Sequence, residues 1–490
     1  MKAKFWLTKK WLLVLPILFL GVVEAKAEIK LGDTLSVTGY MRHELAVHTG
    51  KMNPNNTVIG QKDNNTINLS RSFFQTEWAY NPNETFNVFS KVKVISDQTQ
   101  GLDSKLNDYD AFPLATARYG GYLRATNDRE FDVEMSELYA DLNLGNLWFR
   151  LGKQQIVWGE MVSARILDVI NPLDWSWHFQ LEPEEFENIR MAQWALRGRY
   201  NVEQSTGAFE WLRDLYVEGF VNPGDISPTV YPAPGSPFNL KPPVPGIFKV
   251  TEAEHRSDQE FGFRLGGRIG QIAATLNYLH LYSDAGFFEW QSGGPPAIQV
   301  TDKYPRTELY GASLNYNFPN PIDVTVTYEG IYSPEEPYYD RAAPVTAPRI
   351  SYNRTLRHAI RFDRKTFVLP TPQSAMMIQI QYSQTLVSNS ESIKSTPSPF
   401  SSANSIDSTQ NVIALILSQD LWHNNINLSL TALYDLDGAS MLRPGFKYRS
   451  GDHWIYDIYG VILAGEEGRP GRYGSLNFAD EIFGRITYQF

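Results

Sequence analysis

The chain has no cysteine and only 8 histidines among its 490 residues. Without cysteine it can form no disulfide, no haem attachment motif and no thiolate metal site, and it suits export through an oxidising compartment. No Ser/His/Asp arrangement, zinc-binding helix motif or phosphate-binding glycine loop stands out. The sequence therefore predicts a protein that is not an enzyme and holds neither a cofactor nor a metal.

Long apolar runs are equally scarce, since the only one lies near the start, at residues 11–23. It has about 13 residues, whereas a helix needs about 20 to cross a bilayer. Four lysines precede it, and Ala25 and Ala27 follow it with the small-x-small spacing of a signal-peptide cleavage site. We predict that residues 1–27 are a cleaved Sec signal peptide and that residues 28–490 form the mature domain.

The chain has fewer basic than acidic residues, 44 against 54. The formal net charge is −10, and removing residues 1–27, with five lysines and one glutamate, leaves about −14. An acidic chain of this kind is a poor partner for nucleic acid, which is itself polyanionic. We therefore expect no nucleic-acid partner.

The mature region alternates apolar and polar residues over many short segments. Residues on one face include Leu35, Leu142, Phe263, Val326 and Leu428, and residues on the other include Glu44, Asp141, Arg264, Thr327 and Asn427. The ionisable side chains share one face in every segment, as they do in strands that cross a membrane in about 9–11 residues. A soluble β-sandwich would alternate too, but it needs far fewer strands. The pattern predicts an all-β fold, a transmembrane antiparallel β-barrel of about 18 strands.

Short and long connections take turns along the chain. Turn-forming residues occupy 81–84, 145–146, 269–271, 318–320, 422–425 and 450–451, and long polar connections occupy 49–65, 97–131, 158–188, 222–256, 284–304, 333–352, 386–407 and 465–476. This asymmetry is typical of outer-membrane barrels, which have short periplasmic turns and long extracellular loops. About 18 strands would enclose an aqueous lumen, so transport becomes the expected function.

The last residues alternate up to a terminal aromatic ring, with Tyr488 and Phe490 on the apolar face. This ending resembles the signal by which outer-membrane barrels are recognised for assembly. We therefore expect an integral protein of the Gram-negative outer membrane, in contact with its lipid and lipopolysaccharide and inserted by the barrel-assembly machinery.

The most distinctive stretch begins at Arg150. The alternation places Arg150 and Gln154 inside the barrel and points Lys153 to lipid, unless a bulge forms at Gly152. Beyond it, apolar residues at helical spacing predict a helix that ends at Asn171 and Pro172. We predict that 158–188, the third long connection, folds inward as a constriction. Packing on the extracellular rim is the alternative. The bordering residues would be Trp158, Glu160, Arg165, Asp168, Asn171 and Asp174.

A second group of inward charges lies further along the chain. Arg357, Arg361 and Asp363 share one face of a segment near 353–367, and Glu329 precedes them on the neighbouring strand. They could form an electrostatic ladder across the pore, or they could be salt-bridged wall residues with no contact to a solute.

One family resembles this sequence over most of the mature chain. The motif comprises Arg150, Gly152, Gln154, Trp158, Gly159, Glu160, Asn171, Pro172 and Asp174, with further agreement at 311–316, Glu329, Asp363 and Arg364. It resembles the domain-of-unknown-function 1302 family of proteobacterial outer-membrane proteins, although Lys153 stands where that family has arginine. The resemblance implies a porin-like barrel that exports or admits hydrophobic compounds alongside inner-membrane exporters.

Two functions follow as expectations. The first is a channel for diffusion or export of small solutes, including hydrophobic ones, with a periplasmic or inner-membrane export partner. The alternative is a barrel scaffold for an export complex or for a multihaem cytochrome conduit. Pore conductance distinguishes them, because a scaffold emptied of its partner would pass large, weakly selective currents.

Overall fold

The structure is a computed structural model of the chain. It describes residues 28–51, 53, 67–98, 123–124, 131–175, 186–202, 211–224, 228–230, 248–251, 258–284, 286–294, 297–344, 346–368, 374–394, 406–465, 476 and 478–490. The predicted signal peptide, 1–27, lies outside these residues, as does part of the predicted constriction, 176–185.

Eighteen strands form a closed antiparallel barrel, which confirms the predicted fold class and strand number. Numbered in chain order, they are β1 (Leu35–His48), β2 (Ile67–Tyr80), β3 (Phe86–Asp97), β4 (Phe131–Leu144), β5 (Leu147–Gln154), β6 (Gln193–Asn201), β7 (Leu212–Asn222), β8 (Glu260–Ile269), β9 (Ile272–Tyr282), β10 (Arg306–Phe318), β11 (Val324–Asp340), β12 (Ile350–Thr366), β13 (Met376–Val387), β14 (Thr409–Leu421), β15 (Ile426–Asp435), β16 (Ala439–Ser450), β17 (Trp454–Ala464) and β18 (Glu481–Gln489).

The barrel closes where the last strand pairs with the first. Tyr40 lies opposite Gln489, and the register runs to His48 opposite Glu481. One residue further, Gly39 and Phe490 exchange two backbone hydrogen bonds of 2.9 Å, and the Phe490 ring packs on that glycine and stacks with Phe74 at 6.0 Å. The terminal aromatic residue predicted as an assembly signal thus forms part of the seam.

Alternation along the strands separates an apolar outer surface from a polar interior. On β9 the outward Leu276 is 63% exposed, whereas its inward neighbour Asn277 is buried. Charged residues that are buried inside include Glu44, Arg71, Glu218, Glu329, Asp457 and Arg485. Because successive side chains of a strand point to opposite faces, this two-residue period alone produces the division.

The connections also alternate in length, with two departures from the predicted pattern. Strands β11 and β12 have 17 residues each, so 333–340 and 350–352 are strand and the prediction of a loop there was wrong. A bulge between Ser333 and Glu336 resets the register, and the Tyr338 hydroxyl lies 2.7 Å from the Thr355 hydroxyl across the extended pair. At the same end of the barrel, the connection from β15 to β16 is only 436–438.

The connection from β9 to β10 has secondary structure of its own. Phe287–Ser292 and Ile298–Lys303 pair as a hairpin, and Phe248–Thr251 joins it in parallel. A single helical turn, Phe186–Ile189, precedes β6. In the described part of the chain, no helix is both long enough and apolar enough to cross a membrane.

Candidate functional site

The site begins where β5 ends. Gly152 has φ +137°, and a Cβ there would lie 2.3 Å from the Leu138 carbonyl oxygen, so only glycine fits. Of the two alternatives for Lys153, the lipid-facing one is wrong, since its side chain is buried and Nζ donates to the Met135 carbonyl at 3.0 Å. Gln154 is also buried, and its Nε2 donates to the Ala195 carbonyl at 3.0 Å.

Arg150 faces the interior, as predicted from the alternation. Its guanidinium pairs with Asp141 on β4 at 2.7 Å and lies 3.7 Å from the centre of the Tyr139 ring. The charge is therefore shared between a carboxylate and an aromatic face, two partners that suit a planar guanidinium.

Residues 155–175, hereafter the inward segment, follow β5 and contain no helix. The predicted helix was wrong: the Asn171 side chain does not end a helix but bonds the backbone of Ile156, at the start of the segment. Its side-chain amide accepts from Ile156 N at 3.1 Å and donates to the Ile156 carbonyl at 2.8 Å. Arg165 donates to the Asn171 carbonyl at 2.8 Å. These bonds close the segment into a loop and satisfy backbone groups that a helix would otherwise pair.

The loop is fastened to the barrel wall through its backbone. Glu329 on β11 accepts from the amides of Glu160 and Leu167, the second at 3.2 Å. Gln381 on β13 accepts from Val162 N at 3.1 Å, and Arg361 on β12 donates to the Glu160 carbonyl. Three adjacent strands, β11, β12 and β13, therefore bond the backbone of residues 160–167.

A buried indole fixes the segment at β7. Trp158 donates from Nε1 to Glu218 Oε1 at 2.8 Å, and Arg197 on β6 pairs with the same carboxylate at 2.7 Å. Phe220 meets the Trp158 ring edge to face, with centroids 5.5 Å apart. The polar tip of the indole is satisfied while its ring is buried, the usual arrangement for an interior tryptophan.

Apolar side chains of the segment form a core with the wall rather than with one another alone. The cluster joins Ile156, Trp158, Ile166, Leu167 and Ile170 of the segment to Ala195, Phe220, Leu279, Leu281, Leu309, Ile331 and Ala359 of β6 to β12. Leu167 Cδ2 lies only 2.4 Å from where a Gly311 Cβ would be. Gly311 thus provides the depression in β10 that receives this leucine.

The chain after the segment returns towards the other side of the barrel. Asp168 pairs with Arg190 at 2.7 Å and with Arg165 at 3.4 Å. Asn188 then lies 3.4 Å from Lys93 Nζ on β3. With Asp174 bonded through its backbone amide to the Ile189 carbonyl, contacts of the described chain reach from β3 to β13.

The other predicted inward charges separate into two groups. Arg361 pairs with Asp363 at 2.9 Å, beside the inward segment. Arg357 instead pairs with Glu336 at 3.0 Å, towards the end with long connections. Both carboxylate oxygens of Glu329 accept hydrogen bonds from backbone amides of the inward segment. Residues that the sequence did not single out, above all Glu218 and Gln381, are as central to the site as those it did.

The inner face of β16, β17, β18, β1, β2 and β3, hereafter the paired wall, is built differently. Asp457 pairs with Arg485 at 2.7 Å and with Lys447 at 3.6 Å, and Arg71 pairs with Asp97 at 2.6 Å. Here the charged side chains bond one another across strands.

Comparisons with solved structures return porin-like barrels of low sequence identity. OccAB3 of Acinetobacter baumannii gives a TM-score of 0.48 with 9% identity, covering 93% of this chain and 99% of that one. OccAB1 of the same organism gives 0.48 with 11% identity, covering 93% and 96%. Salmonella typhi OmpF gives 0.42 with 12% identity, covering 94% and 100%. A search of the curated proteins found no significant match.

A comparison with protein families covers nearly the whole chain. The profile of the family described as "Protein of unknown function (DUF1302)" matches residues 24–490. This match includes the Arg150 to Asp174 stretch that forms the inward segment, and it confirms the resemblance stated from the sequence. The chain belongs to the DUF1302 family.

Proposed function

We propose that the protein is a channel of the Gram-negative outer membrane through which small solutes diffuse, narrowed by the inward segment. The observation that carries the proposal is the attachment of residues 155–175 to inward-facing side chains of β7, β11, β12 and β13. A loop packed on the rim would not bond side chains of the inner wall.

Support for the membrane location comes from the outer surface. Leu151, Leu276, Phe263, Ile458 and Ile482 lie on different strands, all point outwards and all are about half exposed or more. An apolar band of this kind is unfavourable in water and stable in hydrocarbon. Aromatic residues near the short turns, including Trp454 and Tyr456, add the girdle expected at a membrane interface.

Support for a passage comes from what the segment leaves uncovered. Its contacts follow the wall from β6 to β13, and the paired wall carries charged side chains that form cross-strand ion pairs. A solute would pass between the anchored loop, which exposes Val157 and Glu160, and a polar face. Two unlike surfaces suit a solute with both apolar and polar parts.

The absence of cysteine allows a clean test of the passage. We would record currents through the refolded protein while a water-soluble thiol reagent is added to Glu160→Cys or to Leu276→Cys. Glu160 is exposed on the inward segment, and Leu276 is exposed on the outer surface. We expect stepwise current loss for the first variant and no change for the second.

Two outcomes would contradict the proposal. The first is a protein that inserts but passes no current, which would favour a scaffold. The second is a current that is insensitive to the reagent in Glu160→Cys although mass spectrometry shows complete labelling. In that case ions would pass elsewhere, and the segment would not border the passage.

A further inference from the structure

Four arginines line neighbouring inner-wall strands just below the inward segment, on the side of the short turns. Arg150 and Arg197 have carboxylate partners, namely Asp141 and Glu218. Arg199 on β6 and Arg264 on β8 have no ion pair within the described part of the chain. Positive charge is therefore in excess at this place in an otherwise acidic protein.

The pairing register explains why Arg199 and Arg264 have no carboxylate partner in the described part of the chain. Arg199 and Arg264 both lie opposite Glu218, one from each neighbouring strand. The Glu218 carboxylate turns instead to Arg197, at 2.7 Å, and to Trp158, at 2.8 Å. By anchoring the inward segment, Glu218 leaves its two in-register arginines without a carboxylate.

Tyr216 holds both guanidinium groups near one ring. Its ring lies over Gly266, where a Cβ would be 2.2 Å from the Tyr216 Cζ. The Arg199 Cζ lies 3.8 Å from the ring centre and the Arg264 Cζ lies 5.7 Å from it. The Trp158 ring is 5.9 Å from the Arg264 Cζ on the segment side. These two arginines and two aromatic rings form what we call the arginine–tyrosine site.

The Arg264 Nε is buried and donates no hydrogen bond among the residues that the structure describes. A buried donor without an acceptor costs free energy, and an acceptor that fills the position recovers it. A carboxylate fits best, because its two oxygens match the paired N–H groups of a guanidinium. The Tyr216 ring is only partly buried and offers an apolar surface for the rest of the solute.

We propose that the arginine–tyrosine site binds small organic carboxylates with an aromatic or aliphatic ring as they pass the inward segment. The proposal deepens the proposed channel function and rests on it. Glu160 is the opposing element: it is exposed on the inward segment, two residues after Trp158, and its negative charge should weaken anion binding. The site therefore selects by charge and shape together.

The test measures block of single-channel current by benzoate, with benzyl alcohol as a neutral analogue of similar shape. We expect benzoate to block the wild type and benzyl alcohol to do so far more weakly. Arg264→Gln should weaken the benzoate block about tenfold or more, the size expected for one lost charge-assisted hydrogen bond. Arg264→Lys should weaken it about threefold while the reversal potential stays unchanged, since lysine keeps the charge but loses the planar fork.

Two further variants sharpen the result. Arg449→Gln removes the same charge from β16, where Arg449 donates to the Asn424 carbonyl, and should leave the block unchanged. Glu160→Gln removes the opposing carboxylate and should strengthen the block about two- to fivefold.

The outcomes separate this inference from the function on which it rests. A protein that passes no current contradicts the channel. A protein that conducts but is not blocked by benzoate, or that is blocked equally after Arg264→Gln, contradicts the arginine–tyrosine site alone. Equal weakening by Arg264→Gln and Arg449→Gln would mean that benzoate senses only the overall charge of the lumen.

Discussion

The inner wall of the barrel has two parts that use buried charge in opposite ways. Along β7 to β13, Glu218, Glu329 and Gln381 bond the backbone or indole of the inward segment. Along the paired wall, Asp457 and Arg485 bond each other. In the first part these side chains hold the inward segment, whereas in the second the acid and the base neutralise each other across neighbouring strands.

The difference shows why inward charge alone does not identify a pore-lining residue. Asp457 and Glu329 are both buried acids on the inner face of a strand. One neutralises two basic residues, whereas the other accepts from two backbone amides. Breaking each arrangement should therefore have different consequences: the paired wall should lose barrel stability, and the anchored segment should change conductance.

The largest effect should come from Asp457→Ala. It removes the carboxylate that pairs with both Arg485 and Lys447, and breaking a buried ion pair from one side typically costs about 3–5 kcal/mol in unfolding free energy. Urea unfolding of the refolded protein in detergent, followed by tryptophan fluorescence, measures the loss. The double variant Asp457→Leu/Arg485→Met removes both charges and should recover most of the stability. Equal losses in the single and double variants would contradict the expectation that removing both charges restores stability.

The next largest effect should come from Leu167→Ala, which removes the side chain that packs over Gly311. Truncation of a buried leucine costs about 2–5 kcal/mol, here as free energy of docking the segment rather than of folding the barrel. Limited proteolysis should cut the segment faster and single-channel conductance should rise. Val157 lies in the same segment but is exposed, so Val157→Ala is the matched control. Equal effects of the two variants would contradict the docked core.

The same contact can be disturbed from β10, by adding a side chain at Gly311. Gly311→Ala places a methyl group against Leu167 and should cost about 1–3 kcal/mol of docking free energy. Gly460→Ala is the control, since the nearest atom to its Cβ is 4.0 Å away. Because the two residues touch, Gly311→Ala should be milder in the Leu167→Ala background. Strictly additive effects on conductance would show that the two side chains do not meet.

The smallest effect should come from the backbone anchors. Gln381→Ala removes the acceptor for the Val162 and Ser163 amides, bonds worth about 1 kcal/mol each, and should raise open-channel noise. Gln379 lies two residues away on the same face and bonds Asp363 at 2.9 Å instead. Similar noise in Gln379→Ala would argue against this anchor.

Features of the fold that depend on neighbouring residues could be predicted from the sequence. The strands, their number and the inward charges came from a two-residue period that any segment displays by itself. The six predicted short turns lie between the strands as expected, because turn residues act locally. The loop predicted over 333–352 was too long, since pairing of β11 with β12 continues beyond the bulge at Ser333 and leaves only 341–349 as the connection.

The site was less predictable because its contacts join residues far apart in sequence. Helical spacing after Val162 suggested a helix, but the segment's amides find acceptors in Glu329 and Gln381, more than 150 residues away. Gly311 gave no sign of receiving Leu167. Arg264 has no ion pair because the Glu218 carboxylate bonds Arg197 and Trp158 instead. A local sequence pattern does not predict that choice.

The most direct test of the account is the conductance of wild type beside a variant in which residues 159–187 are replaced by a short Gly-Ser linker. We expect both proteins to insert and conduct, and we expect the variant to conduct severalfold more than the wild type. Unchanged conductance would contradict a segment that narrows the passage, and silence in both would contradict the channel itself.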